Sequence, residues 1–262
     1  MNQDKSLDLI KELDALKTMY IEDRTQSSYN AIILGQIGIG KTSILQTGRM
    51  PMVIDSFDPG GSKLADFQPL IAAGKIIPDT RWEKPHVHSF AEWEKVFASR
   101  KRSGFFDGIA TYVIDSASTF LTSIQRGVSS AKGKPYVEGS SQPDYKIISN
   151  TFIDYVMLAT ALPCDFIMTG HTIMENDTAE GKVFARFNSI PSLQINIPSL
   201  FDEIYVLLAE RETSTGVERK LLTQSTGKYF ARTRIGSRKF LMYEEPDIKK
   251  LLTKAGLPTE DK

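Results

Sequence analysis

The sequence predicts an α/β fold with a mainly parallel central sheet flanked by helices, and with antiparallel strands added near the C-terminus. Three observations predict it. Short apolar runs at residues 31–34, 52–54, 110–114 and 166–169 read as buried strands. Helix-compatible stretches alternate with them, the arrangement that leaves strands parallel. Residues 203–209, 219–224 and 228–233 then follow as three further strands, with Ser-Thr-Gly-Lys at residues 225–228 as a hairpin turn between the last two.

Each element has its local reason. Leu7, Ile10, Leu13, Leu16 and Tyr20 recur at helical spacing, so the first segment reads as an amphipathic helix that needs an apolar surface, its own core or a neighbouring subunit. Residues 31–34 run into a glycine-rich turn, and residues 41–46 have helical composition after it: strand, loop, helix. The run at 52–54 ends in Asp-Ser-Phe-Asp-Pro-Gly-Gly, which stops a strand and opens a loop. A helix around residues 152–162 separates the strands at 110–114 and 166–169. In the tail, Pro246 near a helix start and Gly256 just past its end mark a short terminal helix. Two polar stretches, 126–145 and 172–196, read as long loops. The expected organisation is an N-terminal helix and linker at 1–28, a core at 29–243, and a C-terminal helix and tail at 244–262, without internal repeats.

Composition narrows the function. Apolar residues at 41% and charged ones at 24% are ordinary for a globular chain, and no run is long enough to span a bilayer. Lysine plus arginine equals aspartate plus glutamate at 32 each, so any nucleic-acid contact has to be local. The single cysteine, Cys164, supplies neither a disulfide framework nor a multi-cysteine zinc site. The charged start lacks a signal-peptide core, and the expected location is cytoplasmic, without a membrane partner.

Residues Gly35, Gln36, Ile37, Gly38, Ile39, Gly40, Lys41 and Thr42 satisfy G-x-x-x-x-G-K-[ST] between a strand and a helix, and Ser43 follows. Glycines let successive N–H groups face phosphate oxygens, and the helix start adds partial positive charge. Lys41 is expected to bridge the β- and γ-phosphates of ATP and Thr42 to coordinate Mg2+. In Thr-Tyr-Val-Ile-Asp-Ser the apolar run delivers Asp115 to a strand end, as a second magnesium ligand. Ser116, not glutamate, comes next, so the water-activating base has to stand elsewhere.

Together the phosphate loop, Val-Ile-Asp-Ser-Phe-Asp-Pro-Gly-Gly and Tyr-Val-Ile-Asp-Ser resemble the RecA-like P-loop NTPases, and among them the phage ATP-binding proteins of the recombinase and single-strand annealing group. The resemblance covers roughly residues 30–240 and implies a RecA-like core. It implies an acidic base after the second strand, for which Asp58 and Asp55 are candidates, since Phe57 falls where the usual glutamate would align. It implies a γ-phosphate sensor at His171, and cations reaching a neighbour's ATP at Arg232 and Arg234, which the predicted strand at 228–233 would put on one face. It further implies a homo-oligomer with ATP between subunits, and DNA bound by the loops after the third and fourth strands. Arg126, Lys132, Lys134, Tyr136 and Lys146 in the first of these could meet phosphates and stack a base. The expected function is therefore an ATPase acting on single-stranded DNA; the alternative is a nucleotide-controlled interaction protein with little hydrolysis, recruiting a replication or packaging partner.

Overall fold

The computed structural model describes residues 2–22, 28–84, 86–131, 133, 142–177, 181–214 and 216–262, and the side chains of 2–7, 142, 177, 212 and 213 lie outside that description. Lys132, Lys134, Tyr136 and the side chain of Leu7 fall outside it.

The chain runs α1 (Asn2–Glu22), β1 (Asn30–Gly35), α2 (Lys41–Ile44), β2 (Met52–Ser56), α3 (Gln68–Ala72), β3 (Ile76–Asp79), α4 (Ser89–Arg102), β4 (Thr111–Asp115), α5 (Ala117–Ala131), α6 (Gln142–Thr160), β5 (Asp165–Asp177), β6 (Lys182–Phe187), α7 (Pro191–Ser199), β7 (Glu203–Thr213), β8 (Gly216–Leu222), β9 (Tyr243–Glu244) and α8 (Ile248–Ala255). The sheet order is β3-β2-β4-β5-β1-β7-β8-β9, with β6 paired to the far half of β5. From β3 to β7 every pairing is parallel; β7 with β8, β8 with β9 and β5 with β6 are antiparallel.

Strand alternation explains why helices cover both faces. Ile32, Leu34, Val53, Tyr112, Ile114, Phe166 and Met168 point to one side, where they meet α4 to α7. Ala31, Ile33, Met52, Ile54, Val113 and Ile167 point to the other, against α2 and α8. The first face is aromatic: Trp93 and Phe97, one turn apart on α4, pack with Phe120 of α5, the Trp93 and Phe120 rings 4.6 Å apart edge to face. On α5 the buried Ala117, Phe120, Leu121 and Ile124 recur at three- and four-residue spacing, the stripe that lays a helix on a sheet. Cys164 is buried in this layer, and burial pushes its thiol up to about 12. α8 begins at Asp247, whose carboxylate accepts from the Lys250 N–H at 3.0 Å, and ends at Gly256 with φ of 84°.

Four readings change. The stretch at 172–196 is no loop: it holds the β5–β6 hairpin and most of α7. Its polar residues mislead because only alternate side chains of an edge hairpin are buried, Ala185 and Phe187 on β6. The stretch at 126–145 is helical where described except for a turn at Gly133, since α5 extends to Ala131 and α6 starts at Gln142, ten residues before the expected helix. The run at 228–233 is no strand. Tyr229 and Arg232 make single bridges, to Ala185 and Ile204, and the second C-terminal hairpin is β7–β8, closing at Thr213 and Gly216 instead of at 225–228. β3, α3 and α4 were not legible.

α1 forms as the spacing predicts, but Leu9, Ile10, Leu13, Leu16, Met19, Tyr20 and Ile21 are between 47% and 79% exposed. Among the described residues no helix is long and apolar enough to cross a membrane.

Phe120→Ala is expected to cost about 3–5 kcal/mol, as for a fully buried aromatic, and Asp247→Ala only about 1 kcal/mol, as for an exposed cap; urea unfolding of the two variants checks the ranking.

Candidate nucleotide site

The C-terminal ends of β1, β2, β4 and β5 converge. Gly38 and Gly40 of the loop after β1 have φ of 76° and 102°, which a side chain would make costly. They let the chain reverse and enter α2 at Lys41. The Lys41 ammonium turns back, donating to the carbonyls of Gly35 at 3.1 Å and Gln36 at 2.8 Å. It also lies 3.1 Å from His171 Nδ1. Burial pulls its pKa down, and the nearby Asp115 and Asp58 carboxylates offset this in part.

Asp115 ends β4, 1% exposed. Its carboxylate accepts from Thr42 Oγ1 at 2.8 Å and from Thr169 Oγ1 of β5. Burial pushes its pKa up against those hydrogen bonds. Among the described residues no group of three or more His, Cys, Asp or Glu forms a metal cluster. One buried carboxylate with one hydroxyl is, however, the small oxygen set that magnesium takes from protein when phosphates and water complete its shell. The residues fit that ion.

Asp58 is carried in by the backbone: the N–H groups of Phe57 and Asp58 both donate to the Asp115 carbonyl, at 2.6 and 3.1 Å. Phe57 is fully buried, its ring 5.0 Å from that of Phe120, and anchors the loop from below. The Asp58 carbonyl closes the Asp-Pro-Gly-Gly turn by accepting from Gly61 N–H at 3.0 Å. Its side chain does something else, accepting from Ser116 Oγ at 2.8 Å and Thr119 Oγ1 at 2.6 Å. Burial raises its pKa, but the nearby His171 imidazole and hydrogen bonds from Thr119 and Ser116 outweigh this and hold the carboxyl below the usual range. His171 Nε2 lies 3.7 Å from Asp58 Oδ2. With Nδ1 receiving the Lys41 ammonium, the ring proton belongs on Nε2, directed at Asp58. Lysine, histidine and aspartate thus stand in a row across the loop.

Asp55 is not brought to this site. Its carboxylate is fully buried and held by Trp93 Nε1 at 2.7 Å, Tyr112 OH at 2.6 Å and Arg100 at 2.8 Å, all on the aromatic face. Burial, then the Asp55 charge, pushes the Tyr112 phenol well up. Arg232 and Arg234, expected to reach a neighbour's ATP, stand away from this chain's own phosphate loop. Arg232 donates to the carbonyls of Ser199 and Phe201 at the end of α7, and Arg234 to Asp202 at 2.7 Å. These partners cluster around the start of β7, and Glu203 is opposite Ala31 of β1, so the pair stands toward the other end of the parallel strands from the phosphate loop. The shared strand face expected of them does not form, because only Arg232 bridges to the sheet.

Sequence reasoning gave no role to Thr169, Ser116, Thr119, Glu83 or Arg219. Ser116 and Thr119 at the start of α5 could have been read as hydroxyls aimed at the strand end. Glu83 accepts from Ser56 Oγ, Ser62 Oγ and Gly60 N–H and ties down the turn beside Asp58. Arg219 donates to the Ile39 carbonyl from 180 residues away, a distance no motif spans.

The sequence matches the family model described as AAA domain over residues 27–235. No curated protein sequence matches it. Similar solved structures include the flagellar accessory protein FlaH from Methanocaldococcus jannaschii, 14% identical over 80% of this chain and 84% of that one, with a TM-score of 0.39. A KaiC-like protein from Pyrococcus horikoshii is 15% identical over 78% and 83%, with a TM-score of 0.43. The ATPase EscN of the enteropathogenic E. coli type III secretion system, solved with its central stalk EscO, is 13% identical over 90% and 63%, with a TM-score of 0.45.

Asp55→Ala is expected to destabilise the fold by about 3–5 kcal/mol by leaving the buried Trp93 Nε1–H and Tyr112 hydroxyl without their acceptor and Arg100 with Asp79 alone, while the folded fraction keeps its nucleotide affinity; chemical denaturation and calorimetric titration with ADP check the two halves.

Proposed function

The chain belongs to the AAA-domain family, and we propose that it is a magnesium-dependent ATPase of the RecA-like kind whose nucleotide state is passed to single-stranded DNA. One observation carries the reading: Lys41 with Thr42, Asp58, Asp115 and His171 come from four separate segments and converge at the C-terminal side of the parallel strands.

The roles follow from their chemistry. The loop N–H groups and the start of α2 receive phosphate oxygens. Lys41 leaves the carbonyls of Gly35 and Gln36 for the β- and γ-phosphates, and Thr42 and Asp115 would hold magnesium, whose charge would offset that of the phosphates when bound. Asp58, kept ionised, orients the attacking water and accepts its proton. His171 changes partner when Lys41 does, and so senses the γ-phosphate.

His171 also lies at the root of the β5–β6 hairpin, its carbonyl accepting from Asn188 N–H at 2.8 Å just beyond β6. On the outer face of β6, alternation aligns Lys182, Phe184 and Arg186. They line a groove of about 550 Å3 together with Lys228, Tyr229 and Phe230. Arg186 stacks over Phe184 at 5.5 Å and Lys228 over Tyr229 at 5.4 Å. Cations among partly exposed rings are what sequence-tolerant binding of unpaired bases needs. Among the described residues this groove supports the DNA half of the proposal; Lys132, Lys134 and Tyr136 of the other candidate stretch lie outside them. The exposed apolar side chains of α1 support a homo-oligomer.

A second reading, a nucleotide-controlled interaction protein with slow hydrolysis, is favoured by one feature. A carboxylate held below its usual range by two hydroxyls and a histidine is a weak base, and Asp58 is such a group.

ATP hydrolysis at low salt with and without single-stranded DNA separates the readings: stimulation supports the first, and turnover indifferent to DNA, with no DNA bound in ATP, supports the second. Lys41→Ala is expected to abolish turnover, and equal rates in that variant would remove the phosphate-loop assignment. Asp58→Asn is expected to lower turnover about 100-fold or more, the usual worth of a positioned base, with ATP affinity retained in a binding titration. Phe184→Ala is expected to weaken single-stranded DNA about tenfold, the loss of one stacked base, as read by fluorescence anisotropy.

A further inference from the structure

Arg219 approaches the phosphate loop from the side opposite His171. Alternation along β8 puts Arg219 on the face of Leu221, and Leu221 is packed with Ile44 and Leu207 in the layer beneath α2 and α8. Hairpin pairing sets Arg219 across from Ala209 of β7, beyond the end of β1. From there its Nε donates to the Ile39 carbonyl at 2.6 Å and its Nη1 to the Val217 carbonyl at 3.3 Å. The guanidinium rests on Gly40: a Cβ at that residue would stand 3.2 Å from Nε. Among the described residues no carboxylate pairs with Arg219, and carbonyls leave its charge unneutralised. A guanidinium has five N–H donors, and these two bonds leave the others to solvent.

Its surroundings are shaped for one end of a nucleotide. Gly40, Ser43, Thr47, Leu207, Pro246 and Arg219 line a pocket of about 150 Å3. Thr42, Asp115, Asp58 and His171 gather on the opposite side of the loop, at the ends of β4 and β5, and take the γ-phosphate and the metal. A phosphate chain cradled by the loop therefore leaves it beside Ser43. We infer that Arg219 is a nucleotide-binding residue, its guanidinium meeting the sugar and α-phosphate end of a nucleoside di- or triphosphate in the pocket between α2, Leu207 and Pro246. The inference rests on the nucleotide site proposed above and adds a contact from β8, outside the phosphate loop.

Two ligands test it on the full chain. With magnesium present, titration calorimetry compares ADP with inorganic pyrophosphate, which has the phosphate-loop charges but no sugar end. Arg219→Ala is expected to weaken ADP about tenfold or more, the worth of a charge-assisted hydrogen bond, and to leave pyrophosphate within about twofold. Arg219→Lys is expected to recover part of the ADP affinity, because it keeps the charge without the fork. Unchanged ADP affinity in Arg219→Ala overturns the inference and leaves the nucleotide site standing. Equal losses for both ligands also overturn it, and make Arg219 a brace that shapes the loop through Ile39. A wild-type chain that binds neither ligand overturns the site itself.

Discussion

Asp115 is a carboxylate in the interior of an α/β sheet with hydroxyls as its direct partners, and a buried charge in that position is costly unless a cation arrives to share it. The rest of the site is indexed to this one group. Its side chain fixes Thr42 at the start of α2 and Thr169 on β5; its carbonyl fixes the backbone of Phe57 and Asp58 after β2. Three parallel strands and a helix are thereby held at one level, and Asp58, the acid proposed to handle water, is tied through its backbone to Asp115, the acid proposed to hold metal. The unfavourable burial and the organisation of the site are the same fact.

That arrangement was legible where a local pattern carries it. A strand, a glycine turn and a helix start name the phosphate loop, because those glycines are needed for positive φ and close approach. An apolar run ending in aspartate names Asp115. Choosing between Asp55 and Asp58 required the strand period: Val53, Asp55 and Phe57 alternate onto the aromatic face, so Asp55 was bound for Trp93 and Tyr112, and only a residue past the strand could face the loop. The hairpin at β5–β6 was hidden because one strand serves two sheets, its near half buried on both sides and its far half exposed on one. Arg219 had no signal at all, since its place depends on the pairing of β7 with β8 and nothing in its neighbours announces that.

Two cations of different character flank the phosphate loop. Lys41 is buried, depressed in pKa by its desolvation, and held by two carbonyls and an imidazole, the partners it would give up for phosphate under the proposed function. Arg219 is exposed and seated on the loop's outer surface by a carbonyl. The first is suited to a step in which charge moves; the second to holding what does not move. His171 belongs with the first, because it touches both the mobile ammonium and the acid.

Gly170, between Thr169 and His171, is crowded on both sides: a Cβ there would come within 2.9 Å of Leu34 and of Phe187. The strand is therefore clamped at that residue, and everything beyond it projects as a lever whose fulcrum cannot be altered. Below the clamp, changes reach the nucleotide chemistry. Above it, Lys182, Phe184 and Arg186 face outward on an edge strand, so exchanging them would reshape the proposed binding surface and leave the residues around the phosphate loop as they are.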